Sequence, residues 1–182
     1  MQRKPTSAEI LAATGNTVPD IIAPNLDVLF CGINPSLYSA AVGHHFARPG
    51  NRFWKSLYIA SFTPRLLAPF EDRELLSFRY GLTNIVDRAT ARADQLNVEE
   101  LLKGQEQLAI KVQQYQPQFL AILGISAYRT AFNQPKAVIG RQNQTLHDVT
   151  IWVLPNPSGL NAHYQLADLK RVYGELLVAV KR

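Results

Sequence analysis

Three stretches of the chain are apolar without interruption: Val28-Leu29-Phe30-Cys31, Phe119-Leu120-Ala121-Ile122-Leu123 and Ile151-Trp152-Val153-Leu154. Strands that are apolar on both faces are what a parallel sheet covered by helices on each side requires. Between them the apolar residues recur with a helical period. Over 97–115, Val98, Leu101, Leu102, Leu108, Ala109, Val112 and Tyr115 fall on one face. Asn97 and Glu100 supply an N-terminal capping pair, and Pro117 ends the helix before the next strand. A second stripe over 165–181 runs through Leu166, Leu169, Val172, Tyr173, Leu176, Leu177 and Val180. Residues 51–62 and 125–132 read as shorter helices and 80–86 as a further strand. This alternation predicts the α/β class, with residues 21–182 as a single domain. Residues 1–20 are expected to form a peripheral extension with one short helix, opened by Thr6 and Glu9 and closed by Gly15.

Each continuous strand is followed by an unusual turn: Gly32-Ile33-Asn34-Pro35, Gly124-Ile125-Ser126 and Pro155-Asn156-Pro157-Ser158-Gly159. In open parallel sheets ligands bind beyond the carboxyl ends of the strands, so these loops should converge on one site. At 47% apolar and 18% charged residues the chain can build a core, which excludes a disordered or highly charged tail binder. Cys31 is the single cysteine, so no internal disulfide or cysteine-rich zinc site is expected. No apolar run approaches the roughly 20 residues of a membrane helix, and no secretory signal is legible. A cytoplasmic location follows as an expectation, or a nuclear one in a eukaryotic host. Phosphate-loop, dinucleotide-binding and serine-hydrolase spacings are absent. His44 and His45 are adjacent and diverge, and only His147 and His163 remain, so neither a metal nor another cofactor is expected. The net charge is +5, and it is unevenly spread. No acid lies between Asp27 and Glu71 or between Glu106 and Asp148, where Arg48, Arg52, Lys55, Arg65, Lys111, Arg129, Lys136 and Arg141 stand. The loop end of the sheet is therefore expected to be positive and to attract a phosphate backbone.

The loops carry a resemblance. Gly32-Ile33-Asn34-Pro35 followed by Gly43-His44-His45-Phe46-Ala47-Arg48-Pro49-Gly50-Asn51-Arg52-Phe53-Trp54-Lys55 resembles the mismatch-specific uracil-DNA glycosylase and thymine-DNA glycosylase family. Gly81-Leu82-Thr83-Asn84-Ile85-Val86-Asp87-Arg88, Tyr115-Gln116-Pro117 and Leu154-Pro155-Asn156-Pro157-Ser158-Gly159-Leu160 extend it, in order, over roughly residues 22 to 180. The resemblance implies a three-layer α/β/α sandwich with a central, mainly parallel sheet. It also implies an enzyme that flips uracil or a related lesion out of double-stranded DNA at a G·U or similar mismatch. Such an enzyme hydrolyses the bond between base and sugar and leaves an abasic site.

Residue by residue, the resemblance makes Asn34 the group that holds the attacking water. Phe46 becomes the aromatic stacked on the base, with the backbone amides of Ile33 and Phe46 on the pyrimidine carbonyls. Ser39 is placed near the C5 edge and Asn84 near the polar edge. Thymine-active members carry Ala where Ser39 stands, so a uracil preference is expected. Ser36 replaces a usual Gly in the base pocket. Asn156, with Asn34, sets the chain apart from relatives specialised for uracil alone, which carry His and Asp at these places. Leu160 matches the wedge that fills the gap left by the flipped nucleotide. The backbone of Gly159, Leu160 and Asn161 would read the widowed guanine, and Ser158 a phosphate. Ala162, His163 and Tyr164 depart from the family. Asp94 is a candidate for assisting the water, against the alternative of an ion pair with its neighbouring arginines.

Three functional classes remain open. The first is a monofunctional glycosylase, since Lys55 is the one lysine in the motif loops and lies on an expected helix; the small size and single DNA face favour a monomer. The second is a protein that binds lesions without cutting them. The third is an α/β domain that holds a small anion at its strand ends.

Overall fold

The structure, a computed structural model, describes residues 3–182; Met1 and Gln2, part of the expected extension, lie outside the described residues. Four parallel strands form the body of one sheet: β1 (Val28–Gly32), β2 (Tyr80–Asn84), β3 (Phe119–Leu123) and β5 (Val149–Leu154). The edge strand β4 (Gly140–Leu146) pairs antiparallel with β5, giving the order β2-β1-β3-β5-β4.

Strand alternation divides the interior into two cores. Val28 and Phe30 of β1, Ala121 and Leu123 of β3, and Trp152 and Leu154 of β5 face one side. There they meet Phe53, Trp54 and Leu57 of α3 (Phe53–Ile59) and Leu169, Val172, Tyr173 and Leu176 of α6 (Leu166–Val180). Leu29, Cys31, Leu120, Ile122, Ile151 and Val153 face the other. They pack under Leu108 and Val112 of α4 (Val98–Tyr115) and Ala127, Tyr128 and Ala131 of α5 (Ile125–Ala131). The result is the expected three-layer α/β/α sandwich. Phe30 is the hub of the first core, with Phe53, Phe62, Tyr80 and Tyr173 around its ring. Burying an aromatic or aliphatic side chain of this kind contributes about 2 kcal/mol. Among the described residues no helix is long and apolar enough to cross a membrane.

Both expected capping boxes form. Thr6 caps α1 (Ser7–Ala12), with Glu9 reciprocating, and Asn97 and Glu100 do the same for α4. The segment behind α1 is bonded into the sheet edge. Gly15 and Asn16 exchange backbone bonds with Ala89, and Ile21 bridges Leu82.

The structure differs from the sequence expectation in several elements. β4 was not expected, because Gly-Arg-Gln-Asn-Gln-Thr-Leu has no alternating apolar face; as a solvent-exposed edge strand it needs none. Its two-residue turn to β5, His147-Asp148, has both residues in the left-handed region without the usual Asn-Gly signature. The short helix α2 (Leu37–Val42) and a 3₁₀ segment over Pro69–Phe78 also escaped the hydrophobic period. The helix expected over 51–62 is shortened to α3.

Candidate active site

Strand order reverses direction between β1 and β3, and the loops leaving their carboxyl ends part to open a crevice. A cleft of about 640 Å³ lies there. It is walled by the turns after β1, β3 and β5, by the end of β2 and by residues 90–94, so the three unusual turns do converge.

Asn34 leaves the end of β1 into this cleft. Its amide nitrogen donates to the Arg88 carbonyl at 2.8 Å and to the Thr90 hydroxyl oxygen at 2.7 Å, and Thr90 donates onward to the Arg92 carbonyl at 2.7 Å. With both N–H groups spent, the side chain is held in one orientation and its carbonyl oxygen is left to accept from a ligand or water. The Arg88 carbonyl is itself fixed from outside. The Arg88 guanidinium grips Glu100 at 2.7 Å, and the same carboxylate caps α4 through the Asn97 amide. The Arg88 bond holds the Glu100 carboxyl below the usual carboxylate range. Thr90 carried no sequence signal, because a loop–loop bridge to Ser36 brings it in from far along the chain.

Phe46 forms a wall of the cleft, backed by the Phe53 ring with centroids 4.1 Å apart. Its φ of 52° is a strained conformation for an aromatic residue, which persists only where neighbours enforce it. They do so on both sides. The Ala47 amide donates to the Ser39 hydroxyl at 3.0 Å, and the Trp54 indole donates to the His45 carbonyl at 3.2 Å. The His45 ring, 3% exposed, donates from Nε2 to the Pro19 carbonyl at 2.9 Å. Burial pushes the His45 pKa below its ordinary value, so the ring is neutral and serves as a strut. Ser39 and Ser36 both line the cleft, yet their hydroxyls are already used: Ser36 caps α2 through the Ser39 amide and donates to the Ser39 hydroxyl. Ser36 in place of a Gly thus has a structural reason, the cap of a helix that the hydrophobic pattern concealed.

Asn84 ends β2 at the base of the cleft and is 4% exposed, yet its amide meets no partner among the described residues. Neither the Ile33 nor the Phe46 backbone N–H donates to another group among the described residues. Three hydrogen-bonding groups on the lining of one cleft are therefore unused within the protein and are open to a ligand. Gly32 makes room for them. A Cβ there would lie 2.5 Å from Asn84 Oδ1 and 3.2 Å from the Phe46 ring.

The loop after β5 forms the opposite rim. Asn156 accepts from the Ser158 amide at 3.0 Å, the Asn161 side chain donates to the Asn156 carbonyl at 3.0 Å, and the Ser158 hydroxyl accepts from Leu160 N at 3.3 Å. Asn156, Ser158, Leu160 and Asn161 line the cleft, and Leu160 projects outward, 72% exposed. Gly159 lies behind the rim, where a Cβ would come within 2.7 Å of the Gly50 carbonyl; its close approach is to the chain's own neighbouring loop. Asp94 sits on the rim paired with the Arg92 guanidinium, its side chain 61% exposed.

The charge expectation is met only in part. Arg48 and Arg92 line the cleft, but the cations of the second acid-free stretch do not. Lys111 pairs with Asp20 at 2.7 Å, and Arg129 donates to the Ala137 carbonyl. Arg52 points its guanidinium into the loop after β5 instead of toward solvent. Cys31 is buried in β1 and its thiol is pushed up by burial, which leaves it inert. Among the described residues no three His, Cys, Asp or Glu side chains gather as a metal site.

The solution NMR structure of a candidate uracil DNA glycosylase from Methanosarcina acetivorans superposes with a TM-score of 0.60 at 17% identity, covering 90% of this chain and 98% of that one. At that identity the likeness establishes the fold. A sequence profile described as the uracil DNA glycosylase superfamily matches residues 19–177, a span that holds all the strands and every wall of the cleft. Sequence, fold and site thus agree that this chain belongs to the uracil DNA glycosylase superfamily.

Proposed function

We propose that this protein removes uracil from G·U and related mismatches in double-stranded DNA by hydrolysing the glycosidic bond, leaving an abasic site. The observation that carries this reading is the unfilled set of hydrogen-bonding groups in the cleft, Asn84 together with the Ile33 and Phe46 amides. A backbone N–H can only donate, so two of them select a ring with two carbonyl oxygens. Uracil and thymine have two; cytosine has one. The Asn84 amide, able both to donate and to accept, completes the polar edge. Phe46, backed by Phe53, stacks on the flipped ring. Ser39 closes the wall toward C5, where the methyl of thymine crowds it, so uracil is preferred.

Asn34 holds the water. Its carbonyl oxygen accepts from the attacking water, while Arg88 and Thr90 fix the amide behind it. An amide is too weak a base to take the proton early, so catalysis rests on positioning and on stabilising the departing uracil anion through the amides of Ile33 and Phe46. Asp94 has no part in this scheme, since its carboxylate is engaged by Arg92 at the exposed rim. Leu160 enters the duplex to replace the lost stacking. The backbone at Gly159, Leu160 and Asn161 reads the unpaired guanine, and Ser158 and Arg48 meet phosphates. No residue in this scheme calls for a metal, a cofactor or a second copy of the chain.

Single-turnover cleavage of labelled duplexes containing G·U, A·U or G·T tests the proposal. It predicts G·U ahead of A·U and of G·T, with Leu160→Ala reducing the G·U rate. Tight mismatch binding with no abasic product in any duplex would favour a lesion-binding protein instead.

A further inference from the structure

We propose that Arg52 is a positioning residue that holds the loop of residues 156–164 in its DNA-ready shape, acting as an internal clamp and not as a phosphate contact. The inference rests on the reading of that loop as the duplex-entering element. Arg52 lies at the start of α3, in the same segment as Phe46, and does not line the cleft. Its guanidinium donates to four carbonyls of the opposite loop: Pro157 at 3.4 Å, Ser158 at 2.7 Å, Asn161 at 2.9 Å, and Tyr164. Its backbone amide adds a bond to the Pro157 carbonyl at 3.0 Å.

Four carbonyls spread over eight residues can be satisfied together only by a planar fork with several fixed donors. A lysine ammonium, a single point with three donors, cannot span them. The loop's own bonds are short-range turns, Tyr164 at its end packs against the first core, and Leu160 at its tip is 72% exposed. Without an external fastening such a segment samples many conformations, and its entry into DNA costs ordering entropy. The clamp removes that cost before binding. It also fastens the loop bearing Leu160 to the segment bearing Phe46, so that the wedge and the base platform keep a fixed separation. The same bonds withdraw Arg52 from the phosphate-facing charge, unlike Arg48, which is exposed on the rim and has no acidic partner among the described residues.

The test combines amide hydrogen exchange on the free protein with binding of a G·U duplex across a salt series, for the wild type, Arg52→Met, Arg52→Lys and Arg48→Met. Both Arg52 variants should exchange about tenfold faster over 156–164 with β1 and β3 still protected, as a locally released segment does. Both should bind the duplex about tenfold more weakly without a change in the slope of log affinity against log salt. Arg48→Met should instead lower that slope by about 0.9, the value for one lost phosphate contact. Wild-type behaviour of Arg52→Lys, unaltered loop exchange in Arg52→Met, or a reduced salt slope in Arg52→Met would each overturn the clamp. If the wild type bound no duplex, the functional reading would fail, and the exchange comparison would still decide whether Arg52 holds the loop.

Discussion

At the scale of single residues, the site works by spending hydrogen bonds in one place so that others stay free. Asn34 keeps its side-chain carbonyl oxygen free because Thr90 and Arg88 consume its donors. Thr90→Val deletes one of those acceptors at nearly constant volume. It should lower the single-turnover rate about tenfold, the worth of one hydrogen bond of 1–1.5 kcal/mol, with the half-saturating enzyme concentration unchanged. Thr90→Ser should restore the rate, and a valine variant as fast as the wild type would remove Thr90 from the scheme. His45 provides a test through pH. Its folded pKa lies below the ordinary value of about 6.5, so below that pH the unfolded chain takes up a proton that the folded ring refuses. This contribution to stability is complete above about pH 6.5 and is lost as the pH falls. His45→Gln keeps a donor for the Pro19 carbonyl and cannot titrate. Its denaturation midpoint should fall less steeply between pH 7 and 5 than that of the wild type.

At the scale of elements, legibility followed burial. β1, β3 and β5 could be read because strands covered on both faces must be continuously apolar, and α4 and α6 because one face of each is buried. β4 could not be read, since an edge strand held by one neighbour imposes no pattern on its exposed side chains. The turn joining it to β5 is a point of strain, with His147 at φ 48° and Asp148 at φ 67°. Replacing the pair by Asn-Gly should raise stability by about 1 kcal/mol, seen as a higher denaturant midpoint at constant slope. Cleavage should be unaffected, because the turn lies at the amino end of β5, opposite the cleft.

At the scale of the whole molecule, the sheet's reversal between β1 and β3 gathers loops that are distant in sequence, and the site divides along that line. Candidate groups carried by a single loop, such as Asn34, Phe46 and Leu160, were visible in local motifs. Groups that act across loops were not. Thr90 reaches Asn34 across 56 residues, and Arg52 reaches the loop after β5 across more than 100. No local pattern encodes such contacts. The same geometry explains why charge counted along the chain overstated the positive face: Lys111 and Arg52 were drawn into internal bonds that only the fold reveals.

The central claim is that Asn34 positions the water that releases uracil from a mismatch. Its most direct test is single-turnover release of uracil from a G·U duplex by the wild type and by Asn34→Ala, with binding of the same duplex measured in parallel. The account predicts rapid formation of abasic product by the wild type, loss of about a hundredfold or more in the variant, and binding preserved within a few-fold, as removal of a transition-state interaction requires. Equal rates for the two proteins would contradict it.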